Sequence, residues 1–191
     1  SGMAIKQRQN LASGWRWRLA NSNCNAKADA IPSLKDWTSV TTFPSVIHME
    51  LLAQGIIPDP NVGENERLVQ WVGDTDWEYC CSFKTPETVE RAAFADLLFE
   101  GLDTFATVVL NEKEILKSDN MFIPYRRDIK PYLKPVGQDN MISIVFESAL
   151  SAGSALEKKF GERKALVRDK RRNHIRKAQA SISFCFNQPY N

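Results

Sequence analysis

Histidine is almost absent: His48 and His174 are the only two in 191 residues, and they stand in unrelated segments. A serine or cysteine nucleophile activated by imidazole would have to draw on one of two singletons, and a lone histidine is ordinarily a core or surface residue. Cysteine is nearly as scarce. Cys24, Cys80, Cys81 and Cys185 lack zinc-ligand spacing, and the adjacent pair points to opposite faces of a strand, so free thiols are expected. Four in a chain this long do not form the disulfide framework of a secreted miniprotein. No apolar run reaches membrane-spanning length and no apolar signal segment surrounds Met3, so a cytoplasmic protein with no membrane partner is expected. Nine glycines and nine prolines are too few for collagen or for wholesale disorder. Glycine-rich phosphate loops, His-Glu-x-x-His and nucleophile elbows are also missing, and neither cofactor nor metal is expected.

What is present is a core. Hydrophobic residues make up 43% of the chain and aromatic residues 10%, enough for one domain and a small annex. A (β/α)₈ barrel alone needs roughly 200 residues, so a complete barrel enzyme does not fit. The pI of 8.3 falls short of the value near 9 typical of nucleic-acid-binding domains. Charge is nevertheless uneven: residues 151–177 hold ten Lys/Arg against three Asp/Glu, a local +7 that leaves −5 elsewhere. The plain reading of that run is a solvated helix face or a frayed tail. It lacks interleaved aromatics, so nucleic acid is not expected as a partner.

Trp15, Trp17 and Leu19 alternate with Arg16 and Arg18, the period-2 signature of a half-buried strand. Residues 37–40 form a short strand candidate, 46–54 a helix stopped by Gly55, and 64–71 a second helix after the turn forced by Pro58 and Pro60. From Trp77 the pattern becomes serial: runs at 77–83, 94–100, 105–110, 114–117 and 141–147 are separated by turn clusters. Asn111 to Lys113 fits a tight hairpin, and strands at such spacing indicate an all-β sandwich or barrel. Beyond Ser148 the period turns helical, with Ala149, Leu150, Ala155, Leu156 and Phe160 roughly on one face.

Three runs are distinctive: WVGDTDWEY (71–79), FEGLDTFATVVLN (99–111) and SDNMFIPYRRDI (118–129). Together with LLAQGIIPDPNVGENE (51–66), they resemble the N-terminal domain of β-mannosidases of glycoside hydrolase family 2, over about residues 11–179. The resemblance implies a mainly β fold, a jelly-roll β-sandwich of the galactose-binding type with a few short helices. In the family this domain leads a chain carrying immunoglobulin-like domains and a catalytic (β/α)₈ barrel. The absence of a signal segment is similar to the intracellular fungal branch. Ser1 and Gly2 read as a cleaved-tag scar at the head of an N-terminal arm (1–10). The sandwich then covers 11–179, and a divergent tail covers 180–191. Where the family continues to Trp-Asp-Trp-Gly-Pro, which holds the terminal mannose, this chain reads ASISFCFNQPYN. A truncated transcript, a retained intron or a deliberate cut each accounts for that ending.

A retaining glycosidase needs two carboxyl groups roughly 5–5.5 Å apart. The family's acid/base glutamate follows an asparagine, but here Asn65-Glu66 lies in a helix candidate and Asn111-Glu112 in a hairpin turn. Both glutamates are expected to be solvated, so this chain alone is expected to be no enzyme. Saccharide sites pair a flat aromatic face with directed polar groups. Trp71, Asp74, Asp76 and Trp77 supply that mixture, and by resemblance face the barrel mouth. Asp119 and Asn120 form a second cluster. Against this stands core packing for Trp71 and Trp77, and turn or capping roles for the aspartates. The function expected is a non-catalytic β-mannosidase domain with weak affinity for mannose-type carbohydrate. The alternatives are a free-standing lectin-like protein or an interaction module. A homo-oligomer would form through the bare barrel-facing surface or the tail, where Ile182, Phe184 and Phe186 alternate and can add a strand to their own sheet or to another copy's.

Overall fold

The computed structural model describes residues 6–22, 24–102, 105–119, 123–148 and 181–187. Along them run β1 (Lys6–Asn10), β2 (Arg16–Leu19), α1 (Ala26–Asp29), β3 (Thr38–Ser39), α2 (Ile47–Ala53), α3 (Asn65–Gly73), β4 (Trp77–Lys84), α4 (Thr88–Arg91) and β5 (Phe94–Gly101). They continue with β6 (Ala106–Leu110), β7 (Lys113–Ser118), β8 (Tyr125–Asp128), β9 (Asp139–Phe146) and β10 (Ser181–Asn187). Hydrogen bonding sorts the strands into a four-stranded sheet, β1-β10-β5-β8, and a six-stranded sheet, β3-β2-β4-β9-β6-β7. All the pairings are antiparallel.

The expected β-sandwich is therefore present, and alternation explains its core. Inward positions Trp17, Tyr79, Ile142, Ile144, Val108 and Leu110 of the larger sheet join Ala95, Leu97 and Phe99 of the smaller in one buried cluster. α2 and α3 contribute Leu51, Val69 and Val72 to the same cluster. The β6–β7 hairpin closes through Asn111 and Glu112, with φ of 48° and 67°. Two successive left-handed residues give the primed turn whose twist matches the flanking strands. Gly55, at φ 68°, ends α2 as expected.

Both chain ends enter the smaller sheet. The arm over 1–10 contains β1, and the divergent tail over 180–191 contains β10, which lies between β1 and β5. Lys6–Asn10 is polar throughout and carries no apolar period, so only its pairing identifies it as a strand. The tail adds its strand to its own sheet. Ile182, Phe184 and Phe186 stand opposite Phe99, Leu97 and Ala95 in register, and both edges of β10 are occupied, so that strand offers no free edge to another copy. The helix expected beyond Ser148 and the basic run 151–177 lie outside the described residues.

Three buried tryptophans differ in one respect. The Trp15 indole donates to Leu11 O at 2.7 Å and that of Trp77 to Val72 O at 2.9 Å, whereas Trp17 Nε1 is buried without a partner among the described residues. An orphaned donor costs about 1–3 kcal/mol. Trp17→Phe removes that cost while sacrificing packing, so it is expected to destabilise by about 1–2 kcal/mol less than Trp15→Phe or Trp77→Phe. Urea denaturation of the three variants checks the order.

Candidate functional site

The register gathers the expected site residues at one end of the sandwich. Across the larger sheet, Leu19, Trp77, Phe146, Ala106 and Ser118 form one transverse row. Residues 73–76 precede Trp77 and Asp119 follows Ser118, so both candidate loops lie on this rim. They are three strand spacings apart, about 14 Å. β9 also leaves the sheet here at Glu147 and Ser148, and β10 begins opposite Gly101 at the rim end of β5.

The rim side chains divide by burial. Trp71 and Trp77 are 8% and 4% exposed, their rings 6.4 Å apart, and Trp77 also meets Trp17 edge-on at 6.0 Å. Both belong to the core, the packing role weighed above against sugar stacking, and neither is placed to stack on a sugar. Their positions follow from how α3 ends. Thr75 Oγ1 and the Asp74 N–H both donate to Trp71 O, while the Trp77 indole N–H donates to Val72 O. The side chains of Thr75 and Trp77 thus cap carbonyls that the helix itself leaves unpaired.

Asp76 is 3% exposed and already committed. Its Oδ1 accepts from Ser148 N–H at 2.7 Å, its Oδ2 from Ser22 Oγ at 2.6 Å, and its backbone oxygen from Ala20 N–H at 3.0 Å. One residue thereby fastens the exit of β2, the start of β4 and the exit of β9. A saccharide hydroxyl would have to displace one of these donors, so Asp76 is a clasp and its expected role as a sugar ligand is corrected. Asp74 is half-buried and Asp119 exposed. The Tyr125 hydroxyl lies 3.4 Å from Asp119 Oδ1 and accepts from the Asp119 N–H at 3.3 Å. Asn120 lies outside the described residues.

The glutamates expected to be solvated are so. Glu66 is exposed on α3, and Glu112 is exposed in the hairpin turn at the opposite end of the sheet from the rim. A buried carboxylate that the sequence pattern did not single out is Glu50, 1% exposed. Both its oxygens accept from Thr41 N–H, and Oε1 also accepts from Ser45 Oγ, which lies 3.3 Å from the Tyr79 hydroxyl. That network pins residues 41–45 to the sheet. Burial pushes the Tyr79 phenol upward and the Cys81 thiol up to about 11. Cys80 and Cys24 are raised and His48 lowered for the same reason. Thiols shifted this way are protonated near neutral pH and make poor nucleophiles. Among the described residues no group of three or more His, Cys, Asp or Glu is placed to hold a metal.

One aromatic stands apart from these. Of the five tryptophans, Trp15, Trp17, Trp71 and Trp77 are buried and only Trp37 is partly exposed. The signal was available: the other four sit in alternating or helical apolar patterns, whereas Trp37 lies between Asp36 and Thr38.

With its two antiparallel sheets, four strands on six, the chain belongs to the glycosyl hydrolase 2 galactose-binding domain-like family, whose model matches residues 15–186. More particularly, it is a domain of the β-mannosidase kind, the non-catalytic N-terminal one. Beta-mannosidase B of Thermothelomyces thermophilus is 49% identical over 117 residues, 61% of this chain and 13% of that protein. Beta-mannosidase B of Aspergillus terreus is 36% identical over 179 residues, 93% of this chain and 20% of that protein. The crystal structure of the β-D-mannosidase from Dictyoglomus thermophilum superposes with a TM-score of 0.75 at 27% identity, covering 93% of this chain and 22% of that one. The chain thus spans 13% and 20% of the length of these two curated relatives.

Proposed function

We propose that this domain serves an enzyme acting on terminal β-D-mannosides, and that its rim meets mannose-type carbohydrate weakly through Asp74 and Asp119. The observation that carries this reading is the transverse row from Leu19 to Ser118, which sets the two aspartates on one rim. A carboxylate offers acceptors to sugar hydroxyls. Trp71 and Trp77 are buried and turn no indole face to a sugar at this rim, which is in keeping with a low affinity. A cytoplasmic location accords with the free thiols of Cys24, Cys80 and Cys81, which a reducing compartment preserves. Among the described residues no helix is long and apolar enough to cross a membrane.

Titrating the ¹⁵N-labelled chain with methyl β-mannoside tests the rim. Amide shifts are expected at residues 74–76 and, as a separate contact, at 119, because one sugar ring cannot bridge about 14 Å; each should saturate only in the millimolar range, about 4 kcal/mol of binding. Asp74→Asn with Asp119→Asn should abolish them, and shifts that persist in this double variant would count against the reading. p-Nitrophenyl β-mannoside should not be turned over by this chain. Hydrolysis lost in Glu66→Gln or Glu112→Gln would overturn the non-catalytic assignment.

A further inference from the structure

The outer face of the six-stranded sheet carries a second arrangement of aromatic and polar groups. Two adjacent rows cross it one step below the rim. The first is Arg18, Glu78, Val145, Thr107 and Lys117; the second is Arg16, Cys80, Ser143, Val109 and Glu114. Trp37, just before β3, lies against the arginines of β2. Its ring centroid is 4.3 Å from the Arg18 guanidinium carbon and 5.5 Å from that of Arg16. Arg18 in turn pairs with Glu78 at 2.8 Å, and the other oxygen of Glu78 accepts from Ser143 Oγ at 2.7 Å. Arg16 is exposed and makes no ion pair among the described residues.

Each part suits a pyranose. Two guanidiniums against one indole fix its orientation by cation–π attraction, so the ring is held in place before any ligand arrives. Trp37 keeps part of its surface in water, Arg16 lies beside it, and Glu78 and Ser143 follow on the next two strands of the same face. Glu78 retains lone pairs after its two hydrogen bonds, because an ionised carboxylate offers about four acceptor positions. From β2 to β9 the groups extend over two strand spacings, about 10 Å, which exceeds one sugar ring and calls for an oligosaccharide.

We infer that this face, centred on Trp37 with Arg16, Glu78 and Ser143, is a second carbohydrate contact that takes a neutral manno-oligosaccharide lying across β2, β4 and β9. The inference rests on the proposed carbohydrate role of the domain but uses none of the rim residues. Tryptophan stacking must occur here if it occurs in this domain, since the other four indoles are in the core.

The test is an NMR titration of the whole chain with β-1,4-mannotriose, with methyl β-mannoside for comparison. Shifts are expected at the amides of Arg16, Arg18, Ser39, Glu78 and Ser143 and at the Trp37 indole N–H. The trisaccharide should bind about fivefold or more tighter than the monosaccharide, because only it spans the strands. Trp37→Ala should weaken binding about tenfold. Arg16→Gln, on an exposed side chain, repeats the test with little risk to folding and should weaken it about threefold. Asp74→Asn with Asp119→Asn should leave the outer-face shifts unchanged. Shifts confined to the rim would overturn this inference and leave the rim reading standing; shifts confined to the outer face would do the reverse. Mannotriose shifts nowhere at millimolar concentration would overturn both. Outer-face shifts that survive Trp37→Ala and Arg16→Gln at full affinity would overturn the assignment to these residues.

Discussion

Ending the chain at Gln179 is expected to abolish cooperative folding. β10 is an interior strand, with β1 on one side and β5 on the other. Removing it takes away the only pairing β1 has among the described residues and opens one flank of β5. Ala95, Leu97 and Phe99, each 0% exposed, lie on that strand, opposite Phe186, Phe184 and Ile182. Uncovering one fully buried Leu or Phe costs about 1.5–3 kcal/mol, and the backbone groups along the opened edge lose their partners as well. The combined loss is comparable with the entire stability of a domain, about 5–15 kcal/mol. The shortened chain should show no cooperative urea transition and should aggregate through its opened edge. A peptide of residues 180–191 added in trans should restore the transition in proportion to its occupancy. Phe184→Pro tests the same point with the full chain present, because an interior strand cannot spare a backbone N–H. A shortened chain that unfolds at the same urea concentration as the full one would show that β10 contributes nothing.

How far the sequence foretold this architecture depended on whether one face of a segment was apolar. β2 was legible because Trp15, Trp17 and Leu19 alternate with arginines, and the β6–β7 hairpin was legible from the turn at Asn111 to Lys113, although its register was not: the turn uses only Asn111 and Glu112, and Lys113 already pairs with Leu110. β10 was legible as a strand from Ile182, Phe184 and Phe186, although not its place between β1 and β5. β1 and β8 were invisible for the opposite reason: Lys6–Asn10 and Tyr125–Asp128 are mostly polar and are defined by what they pair with. The candidate site shows the same limit. Sequence singled out the loop 71–77 by its chemical types, but alternation does not say whether an indole faces the core or the solvent when it closes a helix as well as a strand. Trp77 does both, and Asp76 is spent on chain segments distant in sequence, Ser22 and Ser148. Trp37 was read only as the start of the 37–40 strand candidate, because it belongs to no alternating run, and it is the tryptophan left partly in water.

Asp76→Ala is expected to destabilise the domain by about 3–5 kcal/mol, each charge-assisted hydrogen bond contributing about 1.5–3. Ser148 N–H and Ser22 Oγ both lose their acceptor, and Ser148 is itself buried at 4% exposure, so water cannot readily replace the carboxylate there. Asp76→Asn keeps one acceptor oxygen but turns an NH₂ toward the second donor, and should cost about half as much. Denaturant unfolding gives both values. The double variant Ser22→Ala with Asp76→Ala should cost little more than Asp76→Ala alone, because the two groups share one bond and their effects are not additive. The consequence for function is positional. Asp76 holds the exits of β2 and β9 at the rim, so its loss should loosen Asp74 and the β9 exit together. Amide exchange at residues 74–76 and 147–148 should then rise ahead of exchange at the core of β4 and β9. A clasp predicts that order whether or not sugar is present. A direct sugar ligand predicts unchanged exchange in the free protein and a loss of affinity alone, so the exchange pattern of the free Asp76→Asn variant separates the two roles.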